Sequence, residues 1–192
     1  MEKLRISYSL LNLWRRGRYE DAINLYLHLE TPSSRAMDEG IEWHKKVQES
    51  VEASKRLPNE FLGLTLTNPT CEFEAKVPYN DICELKGYFD VLDSPTLYEI
   101  KTGSSKDSGD YTQDFQISMY LLMADMLKLN VDRAMIIHYD QYKKTTDSSL
   151  VWKSAQELKR ARNFIDTLAP EIHLYFLEHG IFDKKKDLEY NR

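Results

Sequence analysis

Gly87-Tyr88-Phe89-Asp90, the turn Asp93-Ser94-Pro95-Thr96, and then Glu99-Ile100-Lys101-Thr102 form the stretch on which the reading of this chain turns. A hairpin symmetric about Ser94-Pro95 sets residue 90 opposite residue 99, and directly opposed residues have Cβ atoms about 4.5–5.5 Å apart. Glu99 and Lys101 are two apart on a strand, so their side chains share a face. Two acids with a lysine beside them suit a hard divalent cation and an attacking water. That is the kernel of a metal-dependent hydrolase.

Outward from this hairpin, three strands are predicted in succession, Cys71–Pro78, Cys83–Leu92 and Leu97–Thr102. Tyr79-Asn80-Asp81 and Asp93-Ser94-Pro95-Thr96 supply the turn chemistry between them. Before the meander, Leu10, Leu13, Trp14, Ile23, Tyr26 and Leu27 mark helical spacing from Ser9 to about Leu29, interrupted at Gly17. Thr31-Pro32-Ser33-Ser34 then starts a helix from Arg35 to Leu57 that Pro58 stops, and 59–70 reads as a loop. After the meander, Gly103–Asp110 is polar, lacks an apolar anchor and reads as a mobile loop that could clamp a substrate. Phe115, Met119, Leu122, Met123 and Met126 give an amphipathic helix over Tyr111–Leu129. Ala134–Tyr139 and Leu150-Val151-Trp152 read as strands, and a last helix runs from Ser154 to about Glu178 with a bend near Pro170. The result is a mixed α/β layer structure.

The chain has 192 residues, 42% of them hydrophobic, enough to bury one core. It has no apolar run near the roughly 18–20 residues of a membrane helix, and Met1-Glu2-Lys3-Leu4-Arg5 lacks the apolar region of a secretory signal. Cys71 and Cys83 are the two cysteines, too few for a disulfide framework, and read as reduced thiols in a sheet. A cytoplasmic, membrane-free protein fits. The net charge of −5 argues against a wholesale cationic surface but leaves room for local basic clusters. Such clusters occur at Arg15, Arg16 and Arg18; at Lys143 and Lys144; at Lys159, Arg160 and Arg162; and at Lys184, Lys185 and Lys186.

Four signatures stand in order: Gly40-x-x-x-His44 on a helix, Gly87-x-x-Asp90 on a strand, Glu99-x-Lys101-Thr102 on the next strand and Gln116-x-x-x-Tyr120 on the following helix. Together they resemble the PD-(D/E)XK nuclease superfamily, in the branch of the RecB nuclease domain and the CRISPR-associated adaptation nucleases. Ser7-Tyr8-Ser9-Leu10 is similar to that branch's serine-bearing entry into an N-terminal helix. The resemblance spans roughly residues 7 to 140 and implies a restriction-endonuclease-like αβββαβ core with a central mixed sheet flanked by helices. It implies a single domain, with a helical entry over 1–30, a catalytic core over 35–140, and a strand and C-terminal helix over 150–192. Iron–sulfur members of the branch carry one cysteine near the N-terminus and three near the C-terminus. This chain has neither, and such a cluster needs about four thiolates, so none is expected.

By this resemblance Asp90 and Glu99 are carboxylate ligands to Mg²⁺ or Mn²⁺, with the backbone carbonyl of Ile100 as a further oxygen and His44 as an additional ligand. An imidazole among oxygens favours Mn²⁺. Lys101 is expected to assist catalysis, either by lowering the pKa of the attacking water or by orienting it. Gln116 and Tyr120, four apart, face one side of their helix and would border the site, contacting the scissile strand or holding Lys101. The implied activity is a divalent-metal-dependent deoxyribonuclease, more an exonuclease on single- or double-stranded DNA ends than a sequence-specific endonuclease, serving repair, recombination or processing. No phosphate-binding Gly-x-x-x-x-Gly-Lys loop occurs, so unwinding would come from a helicase or recombination partner. Two other readings stay open: a catalytically silent member that grips nucleic acid or a partner, and a hydrolase of small phosphoesters.

Overall fold

In the computed structural model, which describes residues 3–29, 35–103 and 107–190, one six-stranded mixed sheet carries helices on its faces. Its strands are β1 (Leu4–Ile6), β2 (Thr70–Pro78), β3 (Cys83–Asp93), β4 (Thr96–Thr102), β5 (Arg133–Asp140) and β6 (Thr145–Trp152). The helices are α1 (Tyr8–Arg15), α2 (Tyr19–Leu27), α3 (Arg35–Ser54), α4 (Ser108–Thr112), α5 (Phe115–Met126), α6 (Ala155–Glu178) and α7 (Ile181–Tyr190). A mixed α/β architecture of this order is consistent with a restriction-endonuclease-like fold. None of the described helices is long and apolar enough to cross a membrane.

The long strand β3 organises the sheet. One of its edges pairs with antiparallel β2 from Thr70↔Leu92 to Pro78↔Glu84. The opposite edge is shared: parallel β1 takes residues 83–85, and antiparallel β4 takes residues 91–93. Between those two partners the edge of β3 over residues 86–90 has no ladder, so a split opens in the sheet at Asp90. Beyond β4 the order continues to parallel β5 and antiparallel β6.

Two apolar cores lie on the two faces. Leu85, Phe89, Leu97, Ala134 and Ile136 join α1, α2, α5, α6 and α7 in one, while Val91, Ile100, Ile137 and Tyr139 join Val47 and Val51 of α3 and Phe61 in the other. Successive residues such as Ile136 and Ile137 are buried on opposite faces, the pattern of a strand covered from both sides. Side-chain alternation inverts at one place. Phe73 and Phe89 pack on the first core, yet Cys71 and Val91, two residues away on the same strands, pack on the second. Regular strands keep i and i+2 on one face. The inversion falls at Glu72 and Asp90, and Glu72 there adopts the left-handed φ of +47°.

The three-stranded meander and the break of the first helix at Gly17 match the reading of the sequence, and four other expectations are corrected. The helix before Pro58 ends at Ser54, because Lys55 turns left-handed (φ +51°) and Arg56 bridges to Thr65. The helix expected over 111–129 is two, α4 and α5, parted at Gln113-Asp114. Residues 117–124 of α5 are all buried, so it is not amphipathic: the sheet covers one side and α6 the other. Of the expected loop Gly103–Asp110, residues 104–106 lie outside the described residues, while Ser108 onwards is helical. Its anchor is polar, not apolar: an Asp107–Asp110 capping box, a Ser108 amide donating to Asp147 (2.6 Å), and a Ser108–Ser149 hydroxyl pair. Finally, β1 and α7 went unread, and β6 extends well before Leu150. Short or polar elements carry little periodic signal of their own.

Candidate active site

The split beside Asp90 gathers the four sequence motifs. Helix α3 brings His44. Its neighbour Trp43 is wedged edge-on against Phe61 and Tyr139 and donates to Gln141 (3.2 Å), which fixes the helix over the sheet. His44 Nδ1 lies 3.5 Å from Asp90 Oδ1 and 3.9 Å from Glu72 Oε1. Ligand atoms of His44, Glu72 and Asp90 all fall within 4.8 Å of one another. One imidazole nitrogen and carboxylate oxygens at that spacing could hold a divalent ion.

Register places the hairpin as expected and then departs from it. Val91↔Tyr98, Leu92↔Leu97 and Asp93↔Thr96 follow the symmetry about Ser94-Pro95, but the ladder stops one pair short of Asp90 and Glu99. Instead the Asp90 carboxylate reaches across and accepts the Ile100 amide at 2.7 Å. The contact made by Ile100 is thus through its N–H, while its side chain is buried in the α3-side core.

Glu99 and Lys101 share a face, as their spacing requires. Lys101 Nζ donates to Glu99 Oε1 (2.7 Å) and to Gln116 Oε1 (2.9 Å), while Gln116 Nε2 donates to the same Glu99 oxygen (2.7 Å) and to the Tyr120 hydroxyl (3.1 Å). The Gln116 amide has one possible orientation, since lysine only donates and a carboxylate only accepts. Gln116 is a clip that closes a ring with the acid and the base of the Glu-x-Lys motif. Gly87 makes room for it: a Cβ there would stand 3.0 Å from Tyr120 Cε1. Gly40 has no such duty, its added Cβ meeting only Thr102 Oγ1 at 3.7 Å.

The electrostatics of the site are unbalanced. Burial, and then repulsion from Glu99, push the Asp90 carboxyl well above the usual carboxylate range, against the opposing pull of Lys101 and the Ile100 amide. Burial works against the Lys101 charge, but attraction from Glu99 and Asp90 outweighs it and raises the ammonium pKa. Glu99 is 1% exposed, and its second oxygen, Oε2, is buried without a hydrogen-bond partner among the described residues. Leaving a charged acceptor so orphaned costs more than about 1–3 kcal/mol. A bound cation relieves both the orphan and the repulsion, so the residues present fit a divalent metal.

The predicted residues therefore sit in two adjoining groups joined by the Asp90–Ile100 bond. His44 and Asp90 converge with Glu72; Glu99, Lys101, Gln116 and Tyr120 form the ring. The sequence reading missed Glu72. The register that opposes Cys71 to Val91 and Phe73 to Phe89 puts Glu72 level with Asp90, and that alignment was the available signal. The left-handed backbone that turns it toward His44 was not readable. A non-glycine residue at such a φ costs on the order of 1–3 kcal/mol, a strain that clusters at functional sites. His138, by contrast, is buried between Asp147 (2.9 Å) and the Gly103 carbonyl (3.1 Å) and stands apart from both groups.

No family model and no curated protein matches the chain in sequence. Solved structures do match in shape. The crystal structure of SSO0001 aligns with a TM-score of 0.59 at 18% identity, over 88% of this chain and 77% of that one. The alkaline exonuclease LHK-Exo from Laribacter hongkongensis aligns with a TM-score of 0.56 at 12% identity, over 98% of this chain and 95% of that one. At these identities the likeness is one of fold.

Proposed function

We propose that the chain is a divalent-metal-dependent DNA nuclease of the RecB-like kind, hydrolysing phosphodiester bonds and acting as an exonuclease from DNA ends. The observation that carries this reading is the buried ring of Glu99, Lys101 and Gln116 set against the His44–Glu72–Asp90 cluster, with Glu99 Oε2 left unpartnered. A structural ion pair needs no second and third acid and no orphaned oxygen. The fold shared with an alkaline exonuclease supports the reading.

His44, Glu72, Asp90 and Glu99 would hold the ion, and the nitrogen donor favours Mn²⁺ beside Mg²⁺. When bound, such an ion supplies Lewis acidity toward a phosphoryl oxygen and lowers the pKa of a bound water. The chain's own residues do the rest. Lys101, already donating to Glu99 and Gln116, is an ammonium with one further donor, which serves to orient the attacking water or to offset charge on the phosphate. Gln116 holds that ammonium, and Tyr120, braced against Gly87, holds Gln116.

The test is cleavage of end-labelled single- and double-stranded DNA in Mg²⁺, Mn²⁺ and EDTA, with wild type beside Asp90→Ala and Lys101→Ala. Losing a contact of this kind costs about 10²–10³-fold. Metal-dependent cutting that both substitutions abolish supports the reading, and a ladder of end products identifies exonuclease action. Absence of cutting with either ion would leave a binding module as the better account.

A further inference from the structure

The chain is acidic overall, yet folding brings together two basic clusters about 140 residues apart in sequence. Arg15, at the end of α1, meets Lys159 and Arg160 of α6 around a groove of about 590 Å³. Its floor is the stacked pair Phe115 and Phe164, whose ring centroids are 4.1 Å apart. The Arg15 guanidinium lies 5.5 Å from the Phe115 centroid and 5.6 Å from that of Phe164; Arg160 lies 4.7 Å from Phe115. Arg160 also grips the Thr112 and Gln113 carbonyls and pairs with Glu157 at 3.6 Å, so it is committed to the fold. Arg15 and Lys159 are exposed and make no ion pair among the described residues.

This groove lies beside the candidate active site. Phe115 directly precedes Gln116, the clip on Glu99 and Lys101. Half-buried Tyr8 is within electrostatic reach of Lys101, Arg15 and Arg16 alike, and with Asp90 it lines the pocket that opens at the split in the sheet. An apolar aromatic floor between cations that make no ion pair among the described residues, Arg15 bonded only to Asn12 Oδ1 (3.2 Å), lies next to a candidate site for phosphodiesters and matches the chemistry of a single strand: phosphates for the cations, and sugar or base surface for the ring. We propose that the Arg15–Phe115–Lys159 groove is a docking track for single-stranded DNA, carrying the strand outside the cleavage site. The inference rests on the nuclease reading for its choice of ligand, and its test is separable from it.

The test is fluorescence anisotropy with a labelled single-stranded oligothymidylate in EDTA, titrated across a salt series. The variant Arg15→Gln/Lys159→Gln is compared with wild type and with Arg162→Gln/Lys76→Gln. The control removes the same charge at residues that do not line the groove, Arg162 beside Tyr79 and Lys76 beside Glu84. Each phosphate contact on a single strand contributes about 0.7 to the salt slope, so two lost contacts flatten it by about 1.4 and weaken binding about 25-fold at about 0.1 M salt. Lys159→Gln alone, at an exposed residue, gives about fivefold by the same arithmetic. The control pair stays near wild type. A groove variant that binds like wild type or like the control overturns the proposal, as does a wild type that binds no single strand. If groove variants lose affinity while wild type cuts nothing in Mg²⁺ or Mn²⁺, the track stands and the nuclease reading falls. If wild type cuts and the groove variants bind and cut equally well, the reverse holds.

Discussion

Replacing Gln116 with methionine keeps the length and approximate volume of the side chain and removes both of its polar atoms. Three bonds go: donation to Glu99 Oε1 (2.7 Å), acceptance from Lys101 (2.9 Å) and donation to the Tyr120 hydroxyl (3.1 Å). Hydrogen bonds to charged groups are worth about 1.5–3 kcal/mol and neutral ones about 0.5–1.5 kcal/mol. Glu99 is 1% exposed, so water cannot replace the first bond. The Lys101 side chain is 22% exposed, and solvent takes over much of the second. The net loss is about 3 kcal/mol, and in a domain of this size each kcal/mol moves Tm by about 2–4 °C. Thermal unfolding of the metal-free protein should therefore fall by about 6–12 °C. Gln116 is a positioning residue, so cleavage should lose about 10²-fold in kcat as Lys101 drifts, with KM little changed. A Tm within about 2 °C of wild type, or a loss confined to KM, would refute the account of Gln116 as the clip of the Glu-x-Lys pair.

Other outcomes are open to simpler measurements. Glu72→Gln should weaken Mn²⁺ binding at least about tenfold by calorimetry, the scale on which even outer contacts act on a metal site; unchanged affinity would remove Glu72 from the ligand set. Gly87→Ala forces its methyl onto Tyr120 and should cost about 1–3 kcal/mol, whereas Gly40→Ala, which meets only ordinary contacts, should be neutral or stabilise α3 by up to about 1 kcal/mol; denaturant melts that rank them the other way would contradict the packing described. Asp147 is held below the usual carboxylate range because the Ser108 and His138 hydrogen bonds outweigh the opposing effect of burial. A carboxyl with a lowered folded pKa contributes stability above its unfolded value of about 3.9 and loses it as pH falls through the folded one. Asp147→Asn should thus be less stable than wild type near neutral pH, with the gap closing below about pH 4; a gap that persists there would assign the effect to something other than the charge.

Much of this molecule was legible in order along the chain. Alternation and turn residues defined the meander, since a strand's period and a Ser-Pro or Tyr-Asn-Asp turn are local properties. The symmetry about Ser94-Pro95 gave the right register, and the spacing of Glu99 with Lys101 and of Gln116 with Tyr120 gave pairs that do touch. Such contacts depend only on the geometry of one element or one hairpin. Tertiary structure decided the rest, because it depended on what lies across from a residue rather than beside it. The unpaired edge of β3 exists because β1, which no pattern announced, takes one end of that edge and β4 the other. Glu72 reaches His44 because its backbone turns left-handed opposite Asp90. The all-round burial of α5 required α6 to cover it, and the basic residues at 15 and 159 became one surface when α1 and α6 met over Phe115 and Phe164. Local sequence encodes periodicity and turns; which carboxylates converge, and which charges share a face, follow from packing between segments far apart in the chain.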